Sequence, residues 1–173
     1  DVTALPFASA YFDALVSMDV LIHLERGNEL RAASEFARVL RSNGLLFVRV
    51  SALDILRSRH SMFAHERQRF TRSRLIQSFE QSGIEVLRCT YANSLLMPVA
   101  LAKFRVWEPL TRAEPASGVA PVPNWLDSLL FQPFRAEASW IGAGGNFSLG
   151  QSLFLVGRKR GVGQQVSGHH RTD

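Results

Sequence analysis

Apolar positions change period several times along these 173 residues. FDALVSM at 12–18 is a short apolar run behind the turn-like ASAY, the pattern of a strand covered on both faces. Leu30, Ala33, Phe36, Ala37 and Leu40 then recur at helical spacing, and Asn43-Gly44 offers the left-handed stop that closes such a helix. GLLFVRVS at 44–51 reads as a second buried strand. Thr71 is placed to cap TRSRLIQSFEQSG, with Phe70 and Leu75 as a hydrophobic staple around it and Gly83 ending the helix. EVLRCTYA at 85–92 alternates as a third strand, and SLFLVGRK at 152–159 makes a fourth.

An insertion separates the last two strands, spanning about 94–148. It opens with an apolar segment at 94–107, passes through a Pro/Ala/Gly connector at 113–123, and continues as a helix capped by Asn124. Trp125, Leu126, Leu129, Leu130, Phe134, Ala138 and Ile141 form one apolar stripe on that helix, with Pro133 as a kink. The tail 161–173 is Gly, Gln, Ser and His and reads as disordered. Strand, helix, strand, helix, strand, insertion, strand is an α/β pattern around a mostly parallel sheet, one domain over 1–160. Ligands in such sheets sit beyond the carboxyl ends of the strands, which directs attention to 17–23, 51–70 and 91–94.

Composition narrows the function classes. With 46% hydrophobic residues, 12 Phe and 3 Trp, the chain has material for a core. Cys89 is the only cysteine, so no internal disulfide forms, and a reducing, cytoplasmic setting is the natural expectation. The net charge of +5 draws on Arg57, Arg59, Arg67, Arg69, Arg72 and Arg74 and on Arg158, Lys159 and Arg160. No helix-turn-helix, zinc-finger or RNP pattern accompanies them, so nucleic acid is not expected. The longest apolar stretch, 94–104, is broken by Pro98 and Lys103 and is short of the ~20 residues a spanning helix needs. His60 and His65 lack ligand spacing, and no metal site is expected.

Taken together, DVTALPFASAYFDALVSMDVLIHL and ELRAASEFARVLRSNGLLFVRV resemble the second half of a class I S-adenosylmethionine-dependent methyltransferase of the small-molecule group. The resemblance rests on an acidic residue before an LPF turn, an FD-led strand, a loop ending in His, a helix finishing in ARVL and a Gly-led strand. It implies an incomplete Rossmann-like sheet, strands four to seven of the family, with a helical insertion before the last strand. It further implies S-adenosylmethionine as cofactor and methyl transfer to a small-molecule or a lipid- or glycan-linked acceptor.

Residue by residue, the resemblance assigns Asp1 to the adenine amino group and Val2 to the flank of that base. Ser17, Met18 and Asp19 fall where the family holds the methionine end of the cofactor. His23 is the candidate base for a proton leaving the acceptor, since an imidazole titrates near neutral pH. Ile22 stands where one metal-binding branch has a second acid, which speaks against a metal. RSRHSMFAHERQRFTRSRL, 57–75, resembles a loop that a subset of the family lays over the transfer site. It adds His65 as a catalytic candidate and Arg67 and Arg69 as substrate-binding ones, with Tyr91 and Asn93 following the third strand. Each of these positions also has a plainly structural reading: a solvated terminus for Asp1, a locally bonded helix-start residue for His23, a basic helix-capping face for the arginines.

One departure is large. The family's Gly-rich turn and its ribose-binding acid are missing, and the only glycine cluster, GAGGNFSLG at 142–150, precedes the last strand. The expectation is therefore a carboxyl-terminal portion of a longer enzyme, inactive alone, whose amino-terminal half lies elsewhere. Two alternatives stay open: a half-domain or interaction module completed by a partner chain, and a basic peripheral lipid-binding protein that uses 94–107 and 124–141.

Overall fold

A computed structural model of the chain describes residues 1–107, 110 and 123–161, without the side chains of residues 59 and 60. Most of the expected connector at 113–123 and nearly all of the tail at 161–173 lie outside these described residues. Four strands make one sheet: β1 (Phe12–Met18), β2 (Leu40–Ser51), β3 (Ile84–Ala92) and β4 (Ser152–Lys159). Their order is β1-β2-β4-β3. β1 runs parallel to β2, linked through helix α1 (Asn28–Val39), while β4 pairs antiparallel with both β2 and β3. The sheet is thus less parallel than the strand-helix alternation implies. The link from β2 to β3 skips one slot, and β4 fills that slot from the opposite direction.

The core lies on one face of the sheet. Leu46, Val48 and Val50 of β2 and Leu153 and Leu155 of β4 are fully buried against Phe36 of α1 and Leu75 and Phe79 of α3 (Arg72–Glu80). The Phe36 and Phe79 rings stack at 6.3 Å. The helix start at Thr71 forms as its sequence indicates: the Thr71 hydroxyl accepts from the Arg74 amide at 3.4 Å, and Phe70 and Leu75 are both inaccessible. Two short helical elements, α2 (Arg59–Phe63) and the turn Asp54–Leu56, fill the link from β2 to α3.

Three local expectations are corrected. β1 is not covered on both faces: Val16 is 67% and Met18 48% exposed, because β1 is the sheet's edge and no described element lies over its second face. α1 stops at Val39, and Leu40 already pairs with Phe12 in β2; the left-handed residue Asn43 marks an irregularity inside the strand instead of a helix cap. On α1 itself Leu30 points outward and Glu29 is buried, since that carboxylate has partners within the fold, described below.

The insertion departs further from expectation. It comprises α4 (Met97–Ala102), a wider helical turn at Lys103–Trp107, and α5 (Asn124–Gly142), which carries Pro133 inside it. Asn124 makes no side-chain cap, and the apolar stripe of α5 is not buried: Trp125 and Leu129 are open to solvent and Glu137 is the helix's one buried residue. α5 is fastened through polar groups instead. The Glu137 carboxylate accepts from the Ser94 and Leu95 amides at 2.9 and 3.3 Å, and the Arg88 guanidinium of β3 donates to the Ile141 carbonyl at 2.9 Å, to that of Gly145, and to Asn146 Oδ1 at 3.0 Å.

These packing differences set a contrast in stability. Phe79→Ala empties the middle of the core and lowers unfolding stability by about 3–5 kcal/mol, whereas Trp125→Ala, on the open helix, stays within about 0.5 kcal/mol. Urea denaturation of the two variants measures both.

Candidate functional site

The carboxyl ends of β1, β2 and β3 meet the amino end of β4 along one edge. A non-glycine residue with positive φ follows each of the three: Asp19 at +54°, Leu53 at +56° and Asn93 at +55°. Asp and Asn tolerate this region; a leucine does so only when its surroundings hold it there. Side chains connect across the edge. Arg49 Nη1 donates to Asp19 Oδ2 at 2.6 Å and Arg49 Nη2 to Ser152 Oγ at 3.4 Å, which also receives Asn93 Nδ2 at 3.3 Å. Ser51 donates to Glu66 at 2.9 Å, and Glu66 is ion-paired with Arg69 at 3.0 Å. Burial pushes the Asp19 carboxyl above its ordinary value; Arg49 opposes this most, Glu66 adds to it, and His23 slightly offsets it.

The loop after β2 is locked to the loop after β1. The Ile22 carbonyl accepts from the Arg67 and Gln68 amides at 2.9 and 3.1 Å, and Gln68 Nε2 donates to the Leu21 carbonyl at 3.1 Å. Beneath it, Glu29 accepts from the Gly27 amide at 2.6 Å and from Arg74, which also donates to Gln68. Burial alone would raise the Glu29 carboxyl, but the Arg74 and backbone hydrogen bonds outweigh it and hold the group below its usual value. The lock brings His23 and His65 together on the surface, with His23 Nδ1 3.4 Å from the His65 carbonyl.

The remaining candidates divide by partner. Arg69 is 8% exposed and directed inward, to Glu66, to the Ala52 carbonyl at 3.0 Å and to Ser61 Oγ at 2.8 Å. Arg67 is at the surface and pairs with Glu25 at 2.7 Å. Tyr91 is buried, its hydroxyl 3.4 Å from the Arg72 amide as acceptor. Asp1 closes a turn on itself: Oδ1 accepts from the Thr3 amide and hydroxyl at 2.8 and 2.9 Å. The loop behind Asp1 is tied to α1, where Glu35 accepts from the Leu5 amide at 2.7 Å and Arg38 donates to the Leu5 and Phe7 carbonyls. The Arg38 and Leu5 hydrogen bonds pull the Glu35 carboxyl down to about 2.

Between this loop and the open flank of β1 lies a cavity of about 320 Å³ lined by Val2, Leu5, Phe12, Leu15, Ser17 and Phe36, among others. It is apolar apart from Ser17, whose buried hydroxyl has no hydrogen-bond partner among the described residues. Val2 and Ser17 therefore share one wall, while Asp19 and His23 stand past the end of the same strand. Among the described residues no cluster of His, Cys, Asp and Glu is arranged to hold a metal ion.

A family model described as a methyltransferase domain matches residues 1–48, the segment that builds this wall. The solved structures agree on architecture. These residues carry a class I methyltransferase fold. A methyltransferase from Bacillus halodurans C-125 superposes with a TM-score of 0.55 at 14% identity, over 93% of this chain and 70% of that one. One from Haloferax volcanii, in complex with the Trm112 activator, gives 0.52 at 15% identity over 99% and 61%. The [4+2]-cyclase SpnF gives 0.51 at 20% identity over 92% and 54%. The chain spans little more than half the length of several such methyltransferase-fold structures. No curated protein matches it in sequence.

Sequence reading passed over Arg49, Glu66, Ser152 and Glu137. Arg49 had a signal, a lone cation near the end of the apolar run GLLFVRVS, which needs an anion beside it. Glu137 had none, since it lies on a helix whose apolar stripe points attention elsewhere.

Both depressed carboxyls make acid sensitivity predictable. A carboxyl lower in the folded than in the unfolded state stabilises fully above its ordinary value of about 4.5 and loses that contribution as pH falls through the folded value. The Leu5 amide resonance is therefore expected to titrate with a midpoint near about 2 and to stop titrating there in Glu35→Gln. Arg74→Met strands the buried Glu29 carboxylate and costs about 3 kcal/mol at neutral pH, read by urea denaturation.

Proposed function

We propose that the chain forms one wall of the shared cofactor and acceptor site of an S-adenosylmethionine-dependent methyltransferase acting on a small molecule. The observation that carries this reading is the wall itself: an apolar cavity with an orphan Ser17 hydroxyl along β1, continuing into Asp19 and His23 beyond its carboxyl end. The residues present fit part of the cofactor. Val2 and the apolar lining suit one face of a base, the Asp1 carboxylate an exocyclic amine, and Ser17, Met18 and Asp19 the charged amino-acid end. The Gly-rich turn and ribose-binding carboxylate that would complete the site are proposed to come from chain beyond these residues or from a partner chain.

When bound, the cofactor supplies a methyl group on a sulfonium that is its own leaving group. The protein's share is alignment, exclusion of water and acceptance of one proton. His23 takes that proton, its ring oriented by the His65 carbonyl. Arg49 fixes the Asp19 carboxylate at the strand end, and Arg67, at the surface of the locked loop, meets the acceptor's polar groups. SpnF, a [4+2]-cyclase, has this fold too, so the deciding readout is methyl transfer itself.

In calorimetry the 173-residue chain is expected to bind S-adenosylmethionine only at about millimolar concentration or not at all. The polypeptide its native gene encodes is expected to transfer labelled methyl from it to small-molecule acceptors. His23→Gln in that polypeptide lowers kcat about 100-fold with cofactor binding retained. Tight one-to-one binding to the short chain overturns the shared site, and absence of any transfer overturns the reaction.

A further inference from the structure

Residues 54–75 carry six arginines against two acids, Asp54 and Glu66, and the arginines divide between interior and surface. Arg69 and Arg74 turn inward to Glu66 and Glu29, so the surface of the loop after β2 keeps the cationic excess. Part of that excess closes a ring with the loop after β1. Arg26 and Arg57 both face Asp54, each 3.7 Å from one of its carboxylate oxygens. Arg57 Nη2 donates to the Arg67 carbonyl at 3.4 Å, Arg67 Nη1 reaches Glu25 at 2.7 Å, and Glu25 precedes Arg26 in the chain. Among the described side chains, three guanidinium groups here share two carboxylates. Neither contact to Asp54 is a hydrogen bond at that length, so Asp54 holds both arginines by charge alone. Even Arg57, the least open side chain of the ring, is 43% exposed.

We propose that this ring is a binding site for a phosphate monoester. Ion pairs so open to solvent contribute little, and an incoming anion displaces the resident carboxylates readily. To prevail over them it has to carry more charge and more acceptor oxygens than a carboxylate has. A phosphate monoester does, with close to two negative charges near neutral pH and three strong acceptor oxygens that guanidinium forks match in pairs. The frame is fixed beforehand: the Ile22 carbonyl holds the Arg67 and Gln68 amides, and Gln68 Nε2 is bonded to the Leu21 carbonyl. That lowers the cost of ordering the loops around a ligand. His23 and His65, exposed and in contact where the same two loops meet, add ring N–H groups beside the arginines. As an anchor for the methyl acceptor the ring rests on the proposed reaction; as a phosphate site it is tested without the cofactor.

Calorimetric titration of the 173-residue chain with phenyl phosphate at low ionic strength is expected to show one saturable site with a dissociation constant of about 1 mM. Benzoate, the same aromatic ring on a carboxylate, is expected to bind about fivefold more weakly. Arg57→Gln and Arg67→Gln each weaken phenyl phosphate by about fivefold, whereas Asp54→Asn tightens it by a similar factor because a competing carboxylate is gone. Arg158→Gln, at an exposed position at the opposite end of the sheet, leaves the affinity unchanged. Absence of saturable binding overturns the proposal, and so does equal weakening by Arg158→Gln, which marks attraction to net charge alone. Equal affinity for benzoate overturns the phosphate preference, and weaker binding in Asp54→Asn assigns the ring to loop bracing instead. Phenyl phosphate bound at the ring, with no methyl transfer by the polypeptide the native gene encodes, keeps the site and removes the reaction.

Discussion

The edge where the three parallel-running strands end depends on one buried carboxylate. Glu29 sits in the first turn of α1, 5% exposed, and gathers the Gly27 amide and the Arg74 guanidinium around itself. Through Arg74 it reaches Gln68, and through Gln68 the carbonyls of Leu21 and Ile22. Loops after two different strands are thereby held as one surface. An ion pair in this position is weak evidence for net stability, because desolvation opposes the Coulomb attraction. Its value here is positional: neutral side chains of the same volume would fill the space without dictating where residues 65–69 lie over residues 21–23.

That lock explains why the arginines of the 57–75 loop have such different fates. Their spacing suggests a cationic surface, yet Arg69 and Arg74 are directed inward to Glu66 and Glu29, while Arg57, Arg67 and Arg72 stay at the surface, Arg57 beside Asp54 and Arg67 with its partner Glu25. The loop is built as a scaffold first. Positive φ at Asp19, Leu53 and Asn93 shows the same economy along the strand ends, where backbone is held in unfavourable conformations by its neighbours.

How much of this was legible in the sequence follows from the range of the interactions. β3, β4, the Thr71 cap and its staple are set by residues close together in the chain, and these appear where periodicity and capping chemistry place them. The end of α1 was misread because Asn43-Gly44 has the chemistry of a helix stop, and the strand that starts at Leu40 is decided by pairing with Phe12, far away in sequence. Pairing direction was hidden for the same reason. Nothing local to SLFLVGRK says that it slots antiparallel between β2 and β3. Of the candidate residues, His23 and His65 do meet, whereas their connection through Gln68 and Glu29 spans some 40 residues and leaves no periodic trace.

Two apolar surfaces exposed among the described residues are different in kind. Among the described residues the flank of β1 offers strand backbone with no neighbouring strand, a cavity of defined shape and a hydroxyl without a partner, features suited to a directional, hydrogen-bonding complement. The insertion offers helices whose backbone is bonded within themselves and apolar side chains open to solvent. Glu137 fixes α5 to the turn immediately after β3, so the insertion is anchored beside the strand-end edge that carries Asp19, Arg49 and Asn93.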